Sequence, residues 1–529
     1  MNAQIPDNTA APIVEGKHHG RVNTDPQHFE TVIIGTGFSG LLAAIRLKQR
    51  HLDDFVLLER SSDFGGTWRD NTYPGAEVDV PTGLYSISFV PYPFRKQYAP
   101  QSELLAYTHH TIKKYRLREH ARTNQAVTRL TWDESECVWN VEVASGECYV
   151  ARFVIDTSGV LANPRTPYIE GAETFQGASF HTAQWNHDVP YAGKRVGVIG
   201  SGCSAAQVVP AIAGKVARLT VFMGQAQWII PRSDRTYASL ERFITNLPGI
   251  RHIKRFLIFG YHEVRFIAFR RYPFTATISR LIKNLYARNL TKNLEKYIAD
   301  DQLRRHMMPD YELGCRRVIP TNTYLPTLAR ENVDVDISGI EKITPTGIRT
   351  RDGKDIPLDI IVYATGFYAY TDMDNALTFQ VFGRDGRNLN TEWKKEIASY
   401  KGITVSGYPN YFKVNGPNTG TGHSSQISYM QTMVSYTVKA IRAVKRTAGI
   451  RAIDAKSDVQ RDYVAKVKKQ LKSTVWQTGG CKAFYRKNMT GEVTSLSPES
   501  LVHFIFTRQR VRVDDYHLIQ GPHMQLPKI

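Results

Sequence analysis

The chain has 529 residues, of which 42% are hydrophobic and 22% are charged, proportions that are ordinary for a soluble globular protein. This length exceeds what one hydrophobic core supports, so two or three domains are expected. The formal net charge of +19 has two explanations. The basic surface only aids solubility, or it binds a negatively charged partner such as nucleic acid, an anionic membrane or a phosphate-bearing cofactor.

The N-terminus and the cysteines point to an intracellular protein. Residues 1–28 are polar, without the apolar core of a signal peptide, and are predicted to form a flexible arm. None of the five cysteines forms a C-x-x-C pair, which argues against a structural zinc site or a dithiol redox centre, and no metal is predicted. The sparse, odd set fits a reducing compartment, and cytoplasmic localisation is expected. The sequence contains no run of ~18 uncharged apolar residues, so no transmembrane helix is predicted.

A strand, a glycine-rich turn, a helix and a second strand are predicted over 29–60. The turn reads Gly35-Thr36-Gly37-Phe38-Ser39-Gly40. Gly35 permits the tight turn, Gly37 lets the backbone approach a pyrophosphate, and Gly40 lets the helix and strand pack closely. Glu59, at the end of the second strand, can accept hydrogen bonds from a ribose diol. We therefore predict a dinucleotide site here rather than a plain structural turn.

The same plan recurs over 195–222. Its turn reads Gly200-Ser201-Gly202-Cys203-Ser204-Ala205, and the pattern tolerates the final alanine. No acid follows the second strand, which favours a ribose with a 2′-phosphate over a free 2′-hydroxyl. Unless this second module is vestigial, two such modules indicate a tightly held flavin and a diffusible nicotinamide. FAD and NADPH are the predicted cofactors.

These patterns predict an α/β fold with two Rossmann-like dinucleotide-binding domains and a helical insertion. The predicted segments are a flexible arm over 1–28, the FAD-binding domain over 29–170 and 359–529, the NADPH-binding domain over 171–235 and 313–358, and the helical insertion over 236–312. Further candidate cofactor contacts are Arg60, Gly66, Thr67, Trp68, Asp79, Tyr85, Thr365 and Gly366.

The helical insertion is basic and aromatic, and two roles for it stay open. Arg and Lys outnumber acids roughly three to one over 241–300. A basic amphipathic helix can lie on a membrane surface. The favoured role is to cover a substrate cavity.

One further pattern carries a resemblance to a known family. Phe175, Gly177, His181 and Trp185 have the spacing of F-x-G-x-x-x-H-x-x-x-W-P/D, with Asn186 at the last position. The chain resembles the Baeyer–Villiger monooxygenases over roughly residues 29–500, and it is most similar to the branch that contains 4-hydroxyacetophenone monooxygenase. The family has this fingerprint between two G-x-G-x-x-G motifs, as here.

The resemblance implies an activity and residue roles. It implies insertion of one oxygen atom from O2 into a ketone, giving an ester or lactone through a flavin C4a-peroxide. Arg317 would stabilise the peroxide and Asp79 would pair with it. Arg316 would contact the 2′-phosphate of NADPH, and it carries more of that selectivity because the usual Q-R-[ST]-P after the second module is absent. His181 would act in domain orientation.

Other functions remain open at this stage. An N- or S-oxygenating flavin monooxygenase shares the same oxygen chemistry, so a thioether is a second candidate substrate beside a ketone. A disulfide reductase would need a redox-active cysteine pair beside the flavin. A basic binding protein without enzymatic activity is the third alternative, but no nucleic-acid motif is present and no nucleic-acid partner is expected. The oligomeric state does not follow from these patterns.

Overall fold

The computed structural model describes residues 25–270, 276–370, 377–481, 483, 485–486 and 491–521. Of the arm predicted over 1–28, residues 1–24 lie outside the described residues, and the first strand already begins at Gln27. The strands are β1 (Gln27–Ile34), β2 (Phe55–Leu58), β3 (Ala121–Arg122), β4 (Val127–Asp133), β5 (Val138–Val143), β6 (Cys148–Asp156), β7 (Ala178–His181), β8 (Arg195–Ile199), β9 (Arg218–Phe222), β10 (Ile229–Ile230), β11 (Ile319–Pro320), β12 (Val333–Asp336), β13 (Ile340–Thr344), β14 (Gly347–Thr350), β15 (Asp355–Pro357), β16 (Ile360–Tyr363), β17 (Gln380–Phe382), β18 (Tyr411–Lys413), β19 (Ile450–Ala455) and β20 (Tyr516–Gln520).

Helices lie between many of these strands in the chain. They are α1 (Phe38–Lys48), α2 (Thr67–Asp70), α3 (Gln101–Tyr115), α4 (Cys203–Ile212), α5 (Ser239–Asn246), α6 (Pro248–Phe266), α7 (Ala276–Tyr297), α8 (Asp301–Met307), α9 (Tyr324–Leu328), α10 (Leu389–Lys395), α11 (Gln426–Arg446), α12 (Ser457–Leu471), α13 (Val475–Thr478) and α14 (Leu501–Thr507).

The first sheet has the order β17-β4-β5-β6-β1-β2-β3, with β18 also paired to β6. β1 pairs in parallel with β2 and β6, so Val32 lies between Val56 and Val154. These strands are apolar on both faces because helices and an antiparallel meander cover them. Helix α1 lies against α11, and its residues Leu41 and Leu42 are fully buried. This packing fixes the position of the first glycine turn, which joins β1 to α1.

The second sheet is parallel, with the order β12-β9-β8-β16-β7. The α/β fold with two dinucleotide-binding modules is therefore confirmed. One predicted boundary is wrong for one strand: β16 (Ile360–Tyr363) pairs with β7 and β8 of the second sheet, although the division at 358/359 placed it in the first domain. A buried run such as Ile360-Ile361-Val362-Tyr363 fits the centre of either sheet, and its partners cannot be read from it.

Helices α5 to α8 occupy 239–307, where a helical insertion was predicted. Helix α6 has an unusual orientation, since its apolar side chains Ile253, Phe256 and Val264 are 61%, 69% and 66% exposed. Its charged side chains Arg255 and Glu263 instead make contacts with the rest of the protein. Among the described helices, none is both long enough and apolar enough to cross a membrane.

Candidate active site

The first glycine turn leaves the N-terminus of α1 open. Gly35 has φ +96°, a backbone conformation that favours glycine, and a side chain on Gly40 would collide with the carbonyl oxygen of Gly35. Gly66 lies against the turn, because a Cβ added to it would be 2.9 Å from the Cα of Gly37. No side chain caps α1 at Gly37, so its first N–H groups can receive a phosphate.

The carboxylate of Glu59 lies behind this turn. It accepts hydrogen bonds from the backbone N–H of Thr36 at 3.0 Å and from the Thr36 hydroxyl at 2.6 Å. Its other oxygen accepts from Arg69 at 3.1 Å and from the N–H of Ser61 at 3.0 Å. Both oxygens are thus already held by the protein, which fixes the carboxylate at the end of β2 beside the predicted ribose position.

The other predicted contacts of the first site gather on the same side of the sheet. Trp68 donates from its ring nitrogen to the Tyr85 hydroxyl at 3.2 Å, and Phe38 packs edge-on against Tyr85 with ring centroids 6.0 Å apart. The Ser39 hydroxyl accepts a hydrogen bond from Asn415 at 3.2 Å. Thr67 begins α2 directly after Gly66. Arg60 lies at the rim, 46% exposed and 3.4 Å from Asp70.

The second glycine turn has the same open form. A side chain on Gly200, which has φ +129°, would meet the backbone of Ala364, whereas a Cβ on Gly202 would meet nothing within 4 Å. No side chain caps α4 at Gly202. Burial raises the pKa of the Cys203 thiol at the start of α4 to about 11, so it is protonated at neutral pH. The helix therefore presents N–H groups and neutral side chains to an anion.

Arg316 lies beside the residues that follow β9. Its guanidinium donates to the side-chain oxygen of Gln225, three residues after the end of β9, at 2.9 Å. Ser204 lies in the first turn of α4, and the Tyr73 hydroxyl donates to the Gln207 side-chain oxygen on the same helix at 2.6 Å. A cation in place of a carboxylate suits a 2′-phosphate rather than a free hydroxyl.

Arg317 and Asp79 are paired across 238 positions of sequence. The guanidinium donates to both carboxylate oxygens, from Nη2 at 2.6 Å and from Nε. Burial alone would raise the pKa of Asp79, but the charge and hydrogen bonds of Arg317 hold it below its ordinary value. Burial opposes the charge on Arg317, yet Asp79 raises its pKa. Both groups are therefore charged at neutral pH.

The pair forms part of the wall of a cavity of about 460 Å³. Tyr98, Tyr261, His262 and Phe269 supply aromatic walls to it. The Nδ1 atom of His262 lies 2.7 Å from the carbonyl oxygen of His423, to which it donates. Burial lowers the pKa of His262 to about 4, so its ring is neutral at pH 7. The cavity is thus lined by aromatic rings and by the side chains of Arg232, Arg265 and Arg317, and of these Arg317 is the one paired with Asp79. Aromatic walls with a few polar groups are expected of a small-molecule site.

The fingerprint residues belong to the second sheet and the side chains packed on it, and none of them lines the cavity. Gly177 leaves room for the ring of Phe175 and the carbonyl oxygen of Asp359, and Trp185 packs edge-on against Phe180. His181 ends β7, and its ring packs edge-on on Phe367 with centroids 5.6 Å apart. Burial lowers its pKa to about 4.

The segment that leaves β16 connects the two sheets. The hydroxyl of Thr365 donates to the carbonyl oxygen of Arg165, and the N–H of Arg165 donates to the carbonyl oxygen of Gly366 at 2.8 Å. Gly366 has φ +84°, which bends the chain at this point. The ring of His181 packs on Phe367, directly after this crossing.

Comparison with known proteins identifies the family. The chain is 37% identical over 496 residues to a Baeyer–Villiger monooxygenase of Streptomyces coelicolor, covering 93% of both chains. It is equally 37% identical to a Baeyer–Villiger monooxygenase of Pseudomonas aeruginosa, covering 94% of this chain and 92% of that one.

The chain belongs to the Baeyer–Villiger monooxygenase family.

Solved structures and a family model agree with this membership. Cyclohexanone monooxygenase from Rhodococcus sp. Phi1, bound to NADP+, superimposes with a TM-score of 0.82 at 26% identity, covering 94% of this chain and 100% of that chain. A steroid monooxygenase bound to NADP gives 0.81 at 25% identity, with the same coverage. Residues 32–247 match the model described as pyridine nucleotide-disulphide oxidoreductase. This Baeyer–Villiger monooxygenase homologue is therefore a flavin-dependent oxidoreductase.

Two groups near the site were not predicted. Lys413 and Asp156 form a buried ion pair at 2.7 Å, and Tyr411 also donates to Asp156, so this family member has a polar cluster beneath the first glycine turn. The pairing of β18 with β6 brings these residues together, and no sequence signal marks it.

Cys315 and Cys481 form a disulfide beside Arg316 and Arg317. Cys137, Cys148 and Cys203 are free. The sparse set of cysteines that indicated a reducing compartment thus contains one bonded pair. Its members are 166 residues apart, a separation that a search for C-x-x-C pairs does not detect.

Proposed function

We propose that this enzyme inserts one oxygen atom from O2 into a ketone to give an ester or lactone. A ketone, O2, NADPH and a proton would give the ester, NADP+ and water. The observation that carries the proposal is the bidentate pair of Arg317 and Asp79 in the wall of an aromatic cavity. A fixed cation in such a wall can stabilise negative charge that develops during reaction.

The first glycine turn fits FAD. Gly35, Gly37 and Gly66 leave a gap beside the uncapped N-terminus of α1, where a diphosphate would lie without meeting a side chain. Glu59 stands at the end of β2, within the same module, for the ribose. Bound there and reduced by NADPH, FAD would supply the activated oxygen for the reaction.

The second glycine turn fits NADPH. Gly202 and the uncapped start of α4 would receive the diphosphate, and Arg316 would contact the 2′-phosphate. Because Arg316 and Arg317 are adjacent in sequence, one loop would hold both the cofactor and the reacting centre. The disulfide of Cys315 would restrict that loop.

Arg317 would hold negative charge at the reacting centre and Asp79 would orient it. A guanidinium remains charged at any pH the enzyme meets, and its rigid fork presents several donors at once. The carboxylate of Asp79 offsets the cost of burying that charge and leaves Nη1 of Arg317 without a bond to Asp79. The aromatic walls around the pair would limit access of water.

The experiment is a substrate panel with product identification. The purified protein is expected to be yellow, and NADPH oxidation should rise when a ketone is added. Aryl ketones come first because they test the predicted resemblance to the 4-hydroxyacetophenone branch, and cyclic and aliphatic ketones follow. With ¹⁸O2, one labelled oxygen should enter each ester. A panel in which only thioethers are oxygenated would contradict ketone oxidation, and colourless protein that cannot be loaded with FAD would contradict the cofactor.

A further inference from the structure

Helices α5 and α6 carry apolar side chains that point away from the protein. We call this set the outer apolar face; its members, all at least 39% exposed, are Leu240, Phe243, Ile244, Leu247, Ile250, Ile253, Phe256, Leu257, Tyr261 and Val264. On α6 they recur at intervals of three and four residues, which is the spacing of one helix face. Such a face normally packs on the protein core, so its outward orientation needs an explanation.

The orientation of α6 is fixed by packing of Ile258, Phe259 and Phe266 on the core and by polar contacts on the same inner side. Arg255 donates to the carbonyl oxygen of Ser86 at 3.0 Å and to that of Gly83 at 3.2 Å. Glu263 accepts from the N–H groups of Leu501 and Val502, both at 3.2 Å. Rotating α6 to bury its exposed apolar side chains would separate Arg255 and Glu263 from the backbone groups that they bind, at a cost in free energy. The outward face is therefore a stable feature of the fold.

The apolar surface continues onto the helices beside α6. On α14, Val502 and Phe506 are 55% and 70% exposed, next to the residues that bind Glu263. On α7, Leu281 and Leu285 are 64% and 66% exposed, and α7 contacts the short turn Ile267–Phe269 that directly follows α6. Three neighbouring helices thus expose apolar side chains, a larger set than scattered surface residues account for.

The charge of this region is strongly positive. Ser239–Phe269 and Ala276–Tyr297 together contain ten Lys or Arg residues and three Glu residues. Among them, Arg280, Arg288, Lys292 and Lys296 are exposed on α7. An anionic lipid surface complements an apolar face with basic neighbours. A second copy of this chain would bring the same positive charge, so self-association is disfavoured by repulsion.

The outer apolar face also borders the candidate cavity. Leu257 and Tyr261 line the cavity that contains Arg317, and they are 65% and 59% exposed at the surface. These two side chains therefore belong to both surfaces, and the rim of the cavity is part of the outer apolar face.

We propose that the outer apolar face docks on an anionic lipid bilayer, with α5 and α6 lying in the interface and the cavity rim facing the lipid. Apolar ketones dissolved in the bilayer would then be the substrates. Docking rests on the surface alone, whereas the substrate class also rests on the proposed function.

The first test measures binding to vesicles. The full-length protein is sedimented with vesicles made of equal parts phosphatidylglycerol and phosphatidylcholine, and with phosphatidylcholine alone. We expect binding to the anionic vesicles that is weaker at high salt. A variant with Phe243→Gln, Ile253→Gln and Val264→Gln should bind less tightly by on the order of tenfold or more, because three exposed apolar groups are lost.

A matched control shows that the effect belongs to this face. Tyr168, Val513 and Leu518 are also exposed apolar residues, at 83%, 46% and 43%, and lie outside the face. Their triple replacement with Gln should leave vesicle binding unchanged. Equal loss in both variants, or no binding of the unaltered protein to anionic vesicles, overturns the proposal. A dimer that the Phe243, Ile253 and Val264 changes dissociate would also overturn it, because the face would then be occupied by a second copy.

The second test separates docking from catalysis. Oxygenation of a long-chain methyl ketone dissolved in anionic vesicles is compared with that of a short, water-soluble ketone. The Phe243, Ile253 and Val264 variant should lose activity on the first and keep it on the second. Equal activity of this variant and the unaltered enzyme on both ketones would refute membrane delivery of substrate. If neither ketone is oxygenated although vesicles are bound, the proposed function fails and docking stands.

Discussion

Replacing Arg317 with alanine removes a charge and two hydrogen bonds from Asp79. The pKa of Asp79 should rise once the charge of Arg317 is removed, because burial is the largest influence on it. Breaking a fully buried ion pair costs about 3–5 kcal/mol. Because these side chains are 31% and 22% exposed, solvent screens part of the interaction, and we expect a loss of about 1–2 kcal/mol in the free energy of unfolding.

The effect on catalysis should be larger than the effect on folding. Loss of one preorganised electrostatic donor costs about 3 kcal/mol, or roughly a hundredfold in rate. Arg317→Ala should keep FAD and still oxidise NADPH, but release hydrogen peroxide in place of ester. The assay is ester formed per NADPH consumed, with peroxide measured in parallel. Asp79→Asn should show a milder form of this defect, and the double variant should be far from additive because the two residues act as a pair.

Arg232 provides the matched control. It also lines the cavity and is 10% exposed, with ion pairs to Glu77 at 2.6 Å and to Asp234 at 2.7 Å. Arg232→Ala should therefore destabilise the fold at least as much as Arg317→Ala while retaining a higher ratio of ester to NADPH. If Arg317→Ala keeps near-normal turnover and coupling, the reacting centre has been placed wrongly.

Three further predictions concern the cofactors and pH. Gly37→Val should give folded but colourless protein, since a Cβ there meets only Gly66 at 3.7 Å, whereas Gly214→Val, in open space, should stay yellow; bound flavin absorbance decides this. Arg316→Ala should raise the KM for NADPH and leave that for NADH unchanged; an equal effect on both removes Arg316 from the 2′-phosphate. Burial raises the pKa of Asp454 to about 6, so the folded state binds its proton more tightly than the unfolded state does, and stability falls as pH rises from about 4 to 6. Asp454→Asn should be more stable than the unaltered protein by up to about 3 kcal/mol above that range and no more stable below it, as measured by urea unfolding at each pH.

Most of the fold could be predicted from local sequence patterns. Both turns between a strand and a helix were predicted from their glycines. Gly35 and Gly200 have φ angles that other residues rarely adopt, so glycine marks these positions in the sequence. Strand partners were harder: Ile360–Tyr363 is equally apolar in either sheet, so its place in the second one depends on packing that no short pattern encodes.

The site was predicted in part, and mainly through the family resemblance. The resemblance placed Arg317 beside Asp79, although the two residues are 238 positions apart in the sequence. No rule of motif spacing predicts a contact over that separation. The exposed side of helix α6 could not be predicted, because this helix is apolar both towards the core and away from it, and its period does not show which side meets the core. His262 and His423 likewise meet only through folding.

The disulfide between Cys315 and Cys481 closes a loop of 166 residues that begins at the arginine pair. Closing a loop of that length lowers the conformational entropy of the unfolded chain and so stabilises the folded state by at most about 5 kcal/mol. Reduction of the disulfide should therefore lower the melting temperature. The covalent link also has a consequence for proteolysis. A polypeptide cut once between the two cysteines would migrate as a single species on a non-reducing gel and separate into two fragments after reduction. Cleavage of the segment between Cys315 and Cys481 can therefore be detected without any substrate.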